Sequence, residues 1–114
     1  MTLREKQGKF AGMLGLLLVK FPGLFILELY RSLAQEKLNI ANGSSHLKDP
    51  NNCKHVTGLA ADVAFLADIL DDGKLNYSGD KYLPLGIYWE SLDPDNVWGG
   101  RWTLGDFGHF QYGK

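Results

Sequence analysis

The sequence predicts one domain of mixed α and β structure that spans residues 1–114. This length is typical of a single domain. Hydrophobic residues make up 45% of the chain, which is enough for a buried core, and its 14 glycines indicate many loops. Apolar residues recur at helical spacing or in strand-length runs, and these segments follow one another as helix, strand, helix, strand, helix, strand.

The first helix is predicted over residues 3–20. Thr2 and Glu5 have the spacing of a capping box, which is typical of a helix start. Apolar side chains then recur near helical spacing and predict a core-facing surface: Leu3, Phe10, Met13, Leu14, Leu17 and Phe21. Pro22-Gly23 should end this helix.

A strand and a second helix are predicted next. Leu24–Tyr30 is a mostly apolar run of strand length. Ser32-Leu33-Ala34-Gln35 repeats the capping-box pattern, which explains Gln35, and Asn42-Gly43 should stop the helix. Arg31 therefore lies at a strand-to-helix junction.

The middle of the chain predicts a loop followed by a strand. Residues 43–57 are rich in Ser, Asn, Asp and Pro, so we expect a loop in which His46 is solvated. The strand is predicted over Leu59–Phe65. Its alternating side chains place one set in the core (Leu59, Ala61, Val63 and Phe65) and leave Asp62 on the other face between Ala60 and Ala64.

The C-terminal third predicts a helix, a loop and a strand. Pro84 is expected in the first turn of a short helix that runs to Leu92. A loop with tryptophans at both ends follows over Trp98–Trp102, where each ring either lines a cleft or anchors packing. The last strand is predicted over Phe107–Tyr112, with His109 and Phe110 on opposite faces.

Composition excludes several classes of function. A net charge of −1 and a pI near 6.3 provide no broad basic surface, so we expect neither nucleic acid nor an anionic membrane as partner. The apolar stretch Met13–Val19 is too short to span a bilayer, and no small-residue cleavage site follows it, so we expect no membrane insertion and no secretory signal.

Cys53 is the single cysteine, which excludes an internal disulfide and suits a reducing compartment. We expect a monomer.

Four polar residues in two short motifs look like a catalytic zinc site. His55 and Asp62 lie in HVTGLAAD, and Asp106 and His109 lie in DFGHF. Two imidazoles and one carboxylate supply three zinc ligands and leave a fourth position open for water. The remaining carboxylate could accept the proton of that water.

These motifs resemble the zinc peptidoglycan peptidases, which include D-alanyl-D-alanine carboxypeptidases, dipeptidases and phage L-alanyl-D-glutamate endolysins. The family pattern Ser-x-His-x-x-Gly-x-Ala-x-Asp appears here as Cys53–Asp62, with cysteine in place of the family serine. Gly99–Trp102 matches Gly-Gly-x-Trp, and Asp106–Phe110 matches Asp-x-x-His-Phe. The segment around Arg31 and the predicted helix at Leu85–Leu92 are also similar to the family.

The resemblance implies an α+β fold of the Hedgehog/DD-peptidase type, in which a small, mainly antiparallel sheet carries the ligands and helices pack on its other face. It also implies zinc bound by His55, Asp62 and His109, with Asp106 as general base. Arg31 is placed at the substrate, although it could instead pair with Glu28 or cap the helix. Cys53 is a weaker hydrogen-bonding partner than serine.

The function implied is hydrolysis of the L-alanyl-D-glutamate bond in peptidoglycan stem peptides by a phage or prophage endolysin. Such an enzyme would leave the host cytoplasm through a separate pore and act on the wall in the periplasm. Two alternatives stay open. One is a D-alanyl-D-alanine carboxypeptidase or dipeptidase with the same metal and base, and the other is a non-catalytic zinc-binding module of the same fold.

Overall fold

The computed structural model describes residues 1–76 and 79–114, and within them it contains three α-helices and four β-strands. In chain order these are α1 Leu3–Lys20, β1 Leu24–Glu28, α2 Leu33–Ala41, β2 Ala60–Phe65, α3 Gly79–Leu92, β3 Asn96–Trp98 and β4 His109–Tyr112. The strands form one antiparallel sheet in the order β1-β2-β4-β3. The predicted α+β architecture is therefore confirmed.

Helix α1 has the predicted bounds and the predicted cap. The Thr2 hydroxyl accepts a hydrogen bond from the Glu5 backbone N–H at 3.1 Å, and the Glu5 carboxylate accepts one from the Thr2 backbone. This capping box satisfies two of the N–H groups that a helix start leaves without partners. The buried face of the helix consists of Phe10, Met13, Leu14 and Leu17.

Helix α2 begins at the predicted cap, but only one of the two hydrogen bonds of the predicted capping box is present. Ser32 accepts a hydrogen bond from the Gln35 backbone N–H at 3.0 Å. The Gln35 side chain does not return to the cap; its amide instead donates to Asn39 Oδ1 at 2.7 Å, one turn further along the helix. The capping box predicted for Gln35 is therefore wrong, because an i,i+4 partner was available.

The hydrophobic core lies between the helices α1 and α3 and one face of the sheet. Trp89 is fully buried and contacts Phe10 of α1 and Phe110 of β4 edge to face, with ring centroids 5.7 and 5.9 Å apart. Tyr82 and Val63 are also fully buried. Because this side of the sheet is filled by helix side chains, polar groups on the strands must face the other way.

Strand β2 is central in the sheet, and the predicted alternation holds only in part. Ala61 and Val63 face the core as predicted, but Ala60 and Ala64 are also buried, at 1% and 0% exposure. Protein covers both faces of this strand, so small residues on the outer face are enclosed too. Asp62 remains partly exposed between them.

Strand β1 ends two residues earlier than predicted, at Glu28. The pairing with β2 is irregular between Ile26 and Glu28, which is typical of a β-bulge, and the ladder stops there. Leu29 and Tyr30 follow outside the strand. Arg31 lies between β1 and α2, as predicted.

Helix α3 begins at Gly79, so Pro84 is the sixth helical residue and not part of the first turn. The predicted position of Pro84 is wrong because apolar periodicity starts only at Tyr82, after the first helical residues. Proline removes one intrahelical hydrogen bond at this depth. The burial of Tyr82, Leu85 and Trp89 against the sheet holds the helix despite that loss.

Strand β3 was not predicted. Asn96–Trp98 pairs with Phe110–Tyr112 of β4, and three residues are too few for a recognisable alternation. Strand β4 is shorter than predicted, since Phe107 precedes it. In the part of the chain that the structure describes, no helix is long and apolar enough to cross a membrane.

Candidate metal centre

Asp62 and His109 come from neighbouring strands and face the same side of the sheet. They are directly opposite each other in the register of β2 and β4, while the next pair, Ala61 and Phe110, faces the core. Residues paired across antiparallel strands have their side chains on one face. His109 Nδ1 lies 3.1 Å from Asp62 Oδ1. Residues 47 positions apart are thereby brought together.

His55 reaches the same place from a tight turn before β2. The turn closes through Gly58, whose backbone N–H donates to the His55 carbonyl at 3.2 Å and whose φ of +72° is unfavourable for other residues. The Arg31 backbone N–H also donates to the His55 carbonyl, at 3.1 Å. His55 Nδ1 donates to the Leu29 carbonyl at 2.7 Å, because a carbonyl oxygen can only accept. His55 Nε2 is left facing Asp62 Oδ2 at 3.2 Å.

The donor set of His55, Asp62 and His109 fits a zinc ion. One ligand atom from each residue lies within 4.8 Å of the others. Ligand atoms around a tetrahedral zinc at about 2.0–2.1 Å stand about 3.3 Å apart, and each imidazole nitrogen lies at about that distance from one oxygen of Asp62, His55 Nε2 from Oδ2 and His109 Nδ1 from Oδ1. The Leu29 carbonyl keeps the proton of a neutral His55 on Nδ1, so its Nε2 lone pair would point at a carboxylate unless a cation lies between them.

The electrostatics of the cluster also favour a cation. Burial alone would raise the pKa of Asp62, yet hydrogen bonds from His109 and His55 hold it well below its usual range. Burial alone would lower the pKa of His55, yet its hydrogen bond with Asp62 raises it. Asp62 is therefore an anion that both imidazoles face, and a metal ion or protons on the rings must balance its charge.

Asp106 is positioned by a glycine of the Gly99–Trp102 segment. The Asp106 backbone N–H donates to the Gly99 carbonyl at 3.0 Å, and the His109 N–H donates to the Asp106 carbonyl at 3.2 Å. A Cβ on Gly99 would stand 2.5 Å from the Asp106 carbonyl oxygen and 2.9 Å from His109 Cβ. Only glycine allows this approach. The segment therefore holds Asp106 beside the candidate ligand His109.

The three candidate ligands and Asp106 open into one cleft of about 730 Å³. The loop after α2, which includes His46, and the segment around Trp102 also line it. The tilted ring of Trp102 lies 4.9 Å from that of His109 and is 42% exposed, so it lines the cleft. Trp98 is buried against Gly86 and Gly100 and anchors packing. Of the two roles considered for the tryptophans, Trp102 therefore lines the cleft and Trp98 anchors packing.

Asp106 remains exposed to this cleft. Its pKa is raised, first because surrounding protein removes water from the carboxyl and second because of the negative charge of Asp62. A carboxylate with a raised pKa is a stronger base than a free one. Asp106 is outside the group of atoms that converge on the candidate metal position.

Arg31 also lines the cleft, but most of its N–H donors already have partners. Nε donates to Glu28 Oε1 and Nη1 to Glu36 Oε1, each at 2.7 Å, and Nη2 also pairs with Glu28. Nη1 lies 3.4 Å from Cys53 Sγ, so the cysteine contacts the guanidinium rather than the metal centre. The pairing with Glu28 that was left open as an alternative is present.

Glu36 is the residue of this region that sequence reasoning missed. Its side chain has no exposure, although it lies in the first turn of α2, where an acidic residue usually faces solvent. Ser45 donates to its second oxygen at 2.7 Å, and with Arg31 it lowers the pKa of Glu36 against the opposing effect of burial. No local pattern indicates this burial, because Ser45 comes from the following loop.

Comparison with known proteins adds a family and a fold. A family model described as phage L-alanyl-D-glutamate peptidase matches residues 18–80. The L-alanyl-D-glutamate peptidase of Escherichia phage T5 is 54% identical over 39 residues, which cover 34% of this chain and only 28% of that relative. The crystal structure of the Serratia marcescens L-Ala D-Glu endopeptidase ChiX matches with a TM-score of 0.70 and 25% identity, covering 92% of this chain and 78% of that chain.

Proposed function

Because the chain belongs to the phage L-alanyl-D-glutamate peptidase family, we propose that it is a zinc peptidase that hydrolyses the L-alanyl-D-glutamate bond of peptidoglycan stem peptides. The observation that carries the proposal is the convergence of His55, Asp62 and His109 within 4.8 Å in the lining of the cleft. A cleft of about 730 Å³ is in the range that encloses small ligands.

Zinc held by these three residues would lower the pKa of a bound water from about 15.7 to about 7 and polarise the scissile carbonyl. The two imidazoles must then be neutral, with a lone pair toward the metal, and the Leu29 carbonyl provides this for His55. Asp62 supplies the anionic ligand. The remaining steps depend on side chains that are not ligands.

Asp106 is proposed as the general base. Its carboxylate lines the cleft beside His109 and would accept the proton of the attacking water, then donate it to the leaving amine of the D-glutamate residue. In the metal-free protein, burial and then the charge of Asp62 raise the pKa of Asp106, and the part of this shift that comes from burial favours proton acceptance. Arg31 is proposed to face the substrate, with its orientation held by Glu28 and Glu36.

We further propose that the chain acts as a single-domain monomer. Its core is continuous from α1 through the sheet to α3, which supports one folding unit. As a phage lysis enzyme it would leave the host cytoplasm through a separate pore and cut the wall in the periplasm. Light scattering of the purified protein tests the monomer, and lysis that requires coexpression of a pore-forming protein tests the route.

Mass spectrometry of defined muropeptides tests the bond that is cut. The proposal predicts a disaccharide that retains L-alanine and a released peptide that begins with D-glutamate. A chelator should abolish both products, and zinc should restore them. Release of terminal D-alanine would contradict the proposed bond and favour a D-alanyl-D-alanine carboxypeptidase. Full activity in chelator would reject the metal mechanism.

A further inference from the structure

Gln111 lies behind the candidate ligand His109, on the side away from Asp62. It follows His109 by two residues in β4, so both side chains are on the same face of the sheet. Gln111 is only 8% exposed, and no motif in the sequence marks it. Its Oε1 lies 2.8 Å from His109 Nε2, the ring nitrogen that does not face Asp62.

The orientation of the Gln111 amide is fixed by its other end. Nε2 of the amide donates to the Gly113 carbonyl at 2.7 Å. A rotated amide would place its oxygen against that carbonyl oxygen, so Oε1 must face the imidazole. An amide oxygen can only accept a hydrogen bond, and His109 Nε2 must therefore carry a proton.

This arrangement matters because a neutral imidazole has one proton and two neighbours that compete for it. Asp62 Oδ1, 3.1 Å from His109 Nδ1, attracts the proton to the side where a metal would bind. Gln111 attracts it to the opposite side. Only the second arrangement leaves a lone pair on Nδ1 for a metal.

We propose that Gln111 is a positioning residue for His109: it holds the imidazole proton on Nε2 and so keeps Nδ1 available as a metal ligand. Gln111 would thus do for His109 what the Leu29 carbonyl does for His55. The inference rests on the proposed function, because it assumes that the ion held there is zinc.

The test compares the zinc dissociation constants of purified variants by competition with a chromophoric chelator. Gln111→Met keeps the approximate size and removes the acceptor, and we expect it to weaken zinc binding about 10- to 100-fold. Gln111→Glu keeps an acceptor oxygen but, like methionine, cannot donate to Gly113, and we expect zinc affinity at least equal to that of the natural protein. In the zinc-loaded natural protein, the His109 Nε2 proton should exchange slowly with solvent by NMR, and Gln111→Met should accelerate this exchange.

Asn96→Leu is the matched control. Asn96 is also a buried amide that bonds a backbone carbonyl, that of Trp89 at 2.8 Å, but it lies outside the cleft. We expect this variant to lose stability and to keep its zinc affinity.

The outcomes separate the inference from the proposed function. Unchanged zinc affinity in Gln111→Met, or an equal loss of affinity in Gln111→Met and Gln111→Glu, would overturn the proposed role of Gln111 as acceptor. Neither result would contradict the proposed zinc peptidase activity. A natural protein that bound no zinc would overturn the proposed function, and the inference with it.

Discussion

Asp62 and His109 face each other across β2 and β4, with Asp62 Oδ1 3.1 Å from His109 Nδ1. The contact is a consequence of strand register, because a slip of one residue would turn either side chain into the core. Ala61 and Phe110, the adjacent pair, pack into that core and fix the register. The hydrophobic core thus determines the geometry of a polar site on the opposite face of the sheet.

Replacing Asp106 with asparagine should separate metal binding from hydrolysis. Asparagine has nearly the same shape but cannot accept the proton, so we expect hydrolysis to fall about 10²- to 10⁴-fold with zinc content unchanged. Muropeptide turnover and elemental analysis measure the two effects. Asp71→Asn is the control, since Asp71 is an exposed carboxylate outside the cleft. Undiminished turnover in Asp106→Asn would remove Asp106 from the mechanism.

The sequence was sufficient to single out His55, Asp62 and His109, which the structure brings together, because each lies in a short motif with its own local geometry. Gly58 sets the turn that presents His55, and small residues flank Asp62 on β2. The bounds of α1 were predicted for a similar reason, since its cap and apolar spacing are local.

The features that were missed depend on contacts between distant segments. The burial of Glu36 requires Ser45 from the next loop, and the role of Gln111 requires both His109 and the Gly113 carbonyl. Strand β3 exists because it pairs with β4, not because of its own three residues. Local patterns carry no signal for such pairings.

Zinc should stabilise the protein more as the pH rises. In the metal-free protein the pKa of His55 is raised, so protonated His55 stabilises the fold when the pH is below the ordinary histidine pKa of about 6.5. This contribution is lost as the pH rises through the pKa of His55 in the folded protein. Zinc binds only the neutral imidazole, so protons compete less with zinc for His55 as the pH rises over the same interval.

The increase in Tm on adding zinc should therefore be larger at about pH 7.5 than at about pH 5.5. Differential scanning fluorimetry with and without zinc measures it. Magnesium prefers oxygen ligands and should produce no comparable increase. An increase that shrank with rising pH would contradict neutral histidine ligands.

Replacing Glu36 with glutamine tests the buried support of Arg31. Glutamine leaves a neutral amide where a carboxylate now accepts from both Arg31 and Ser45, so we expect a loss of about 1–3 kcal/mol in the free energy of unfolding. Glu90→Gln is the control, because the bridge from Glu90 to Arg101 is more open to solvent and should contribute less to stability. Urea denaturation compares the two, and equal losses would mean that burial of Glu36 adds nothing.

Replacing Gly99 with alanine should damage the fold and the metal centre together. The new Cβ would stand 2.5 Å from the Asp106 carbonyl oxygen, a backbone atom that cannot rotate away, and 2.9 Å from His109 Cβ. Such overpacking typically costs about 1–3 kcal/mol, and here it displaces the chain that carries His109, so zinc affinity should fall as well.

Gly15→Ala is the contrasting control. Gly15 is exposed in α1 with nothing within 4 Å of a Cβ, and alanine there should stabilise the protein by up to about 1 kcal/mol without altering zinc affinity. Thermal unfolding and chelator competition on both variants measure the effects, and wild-type zinc affinity in Gly99→Ala would mean that the close approach at Gly99 does not position His109.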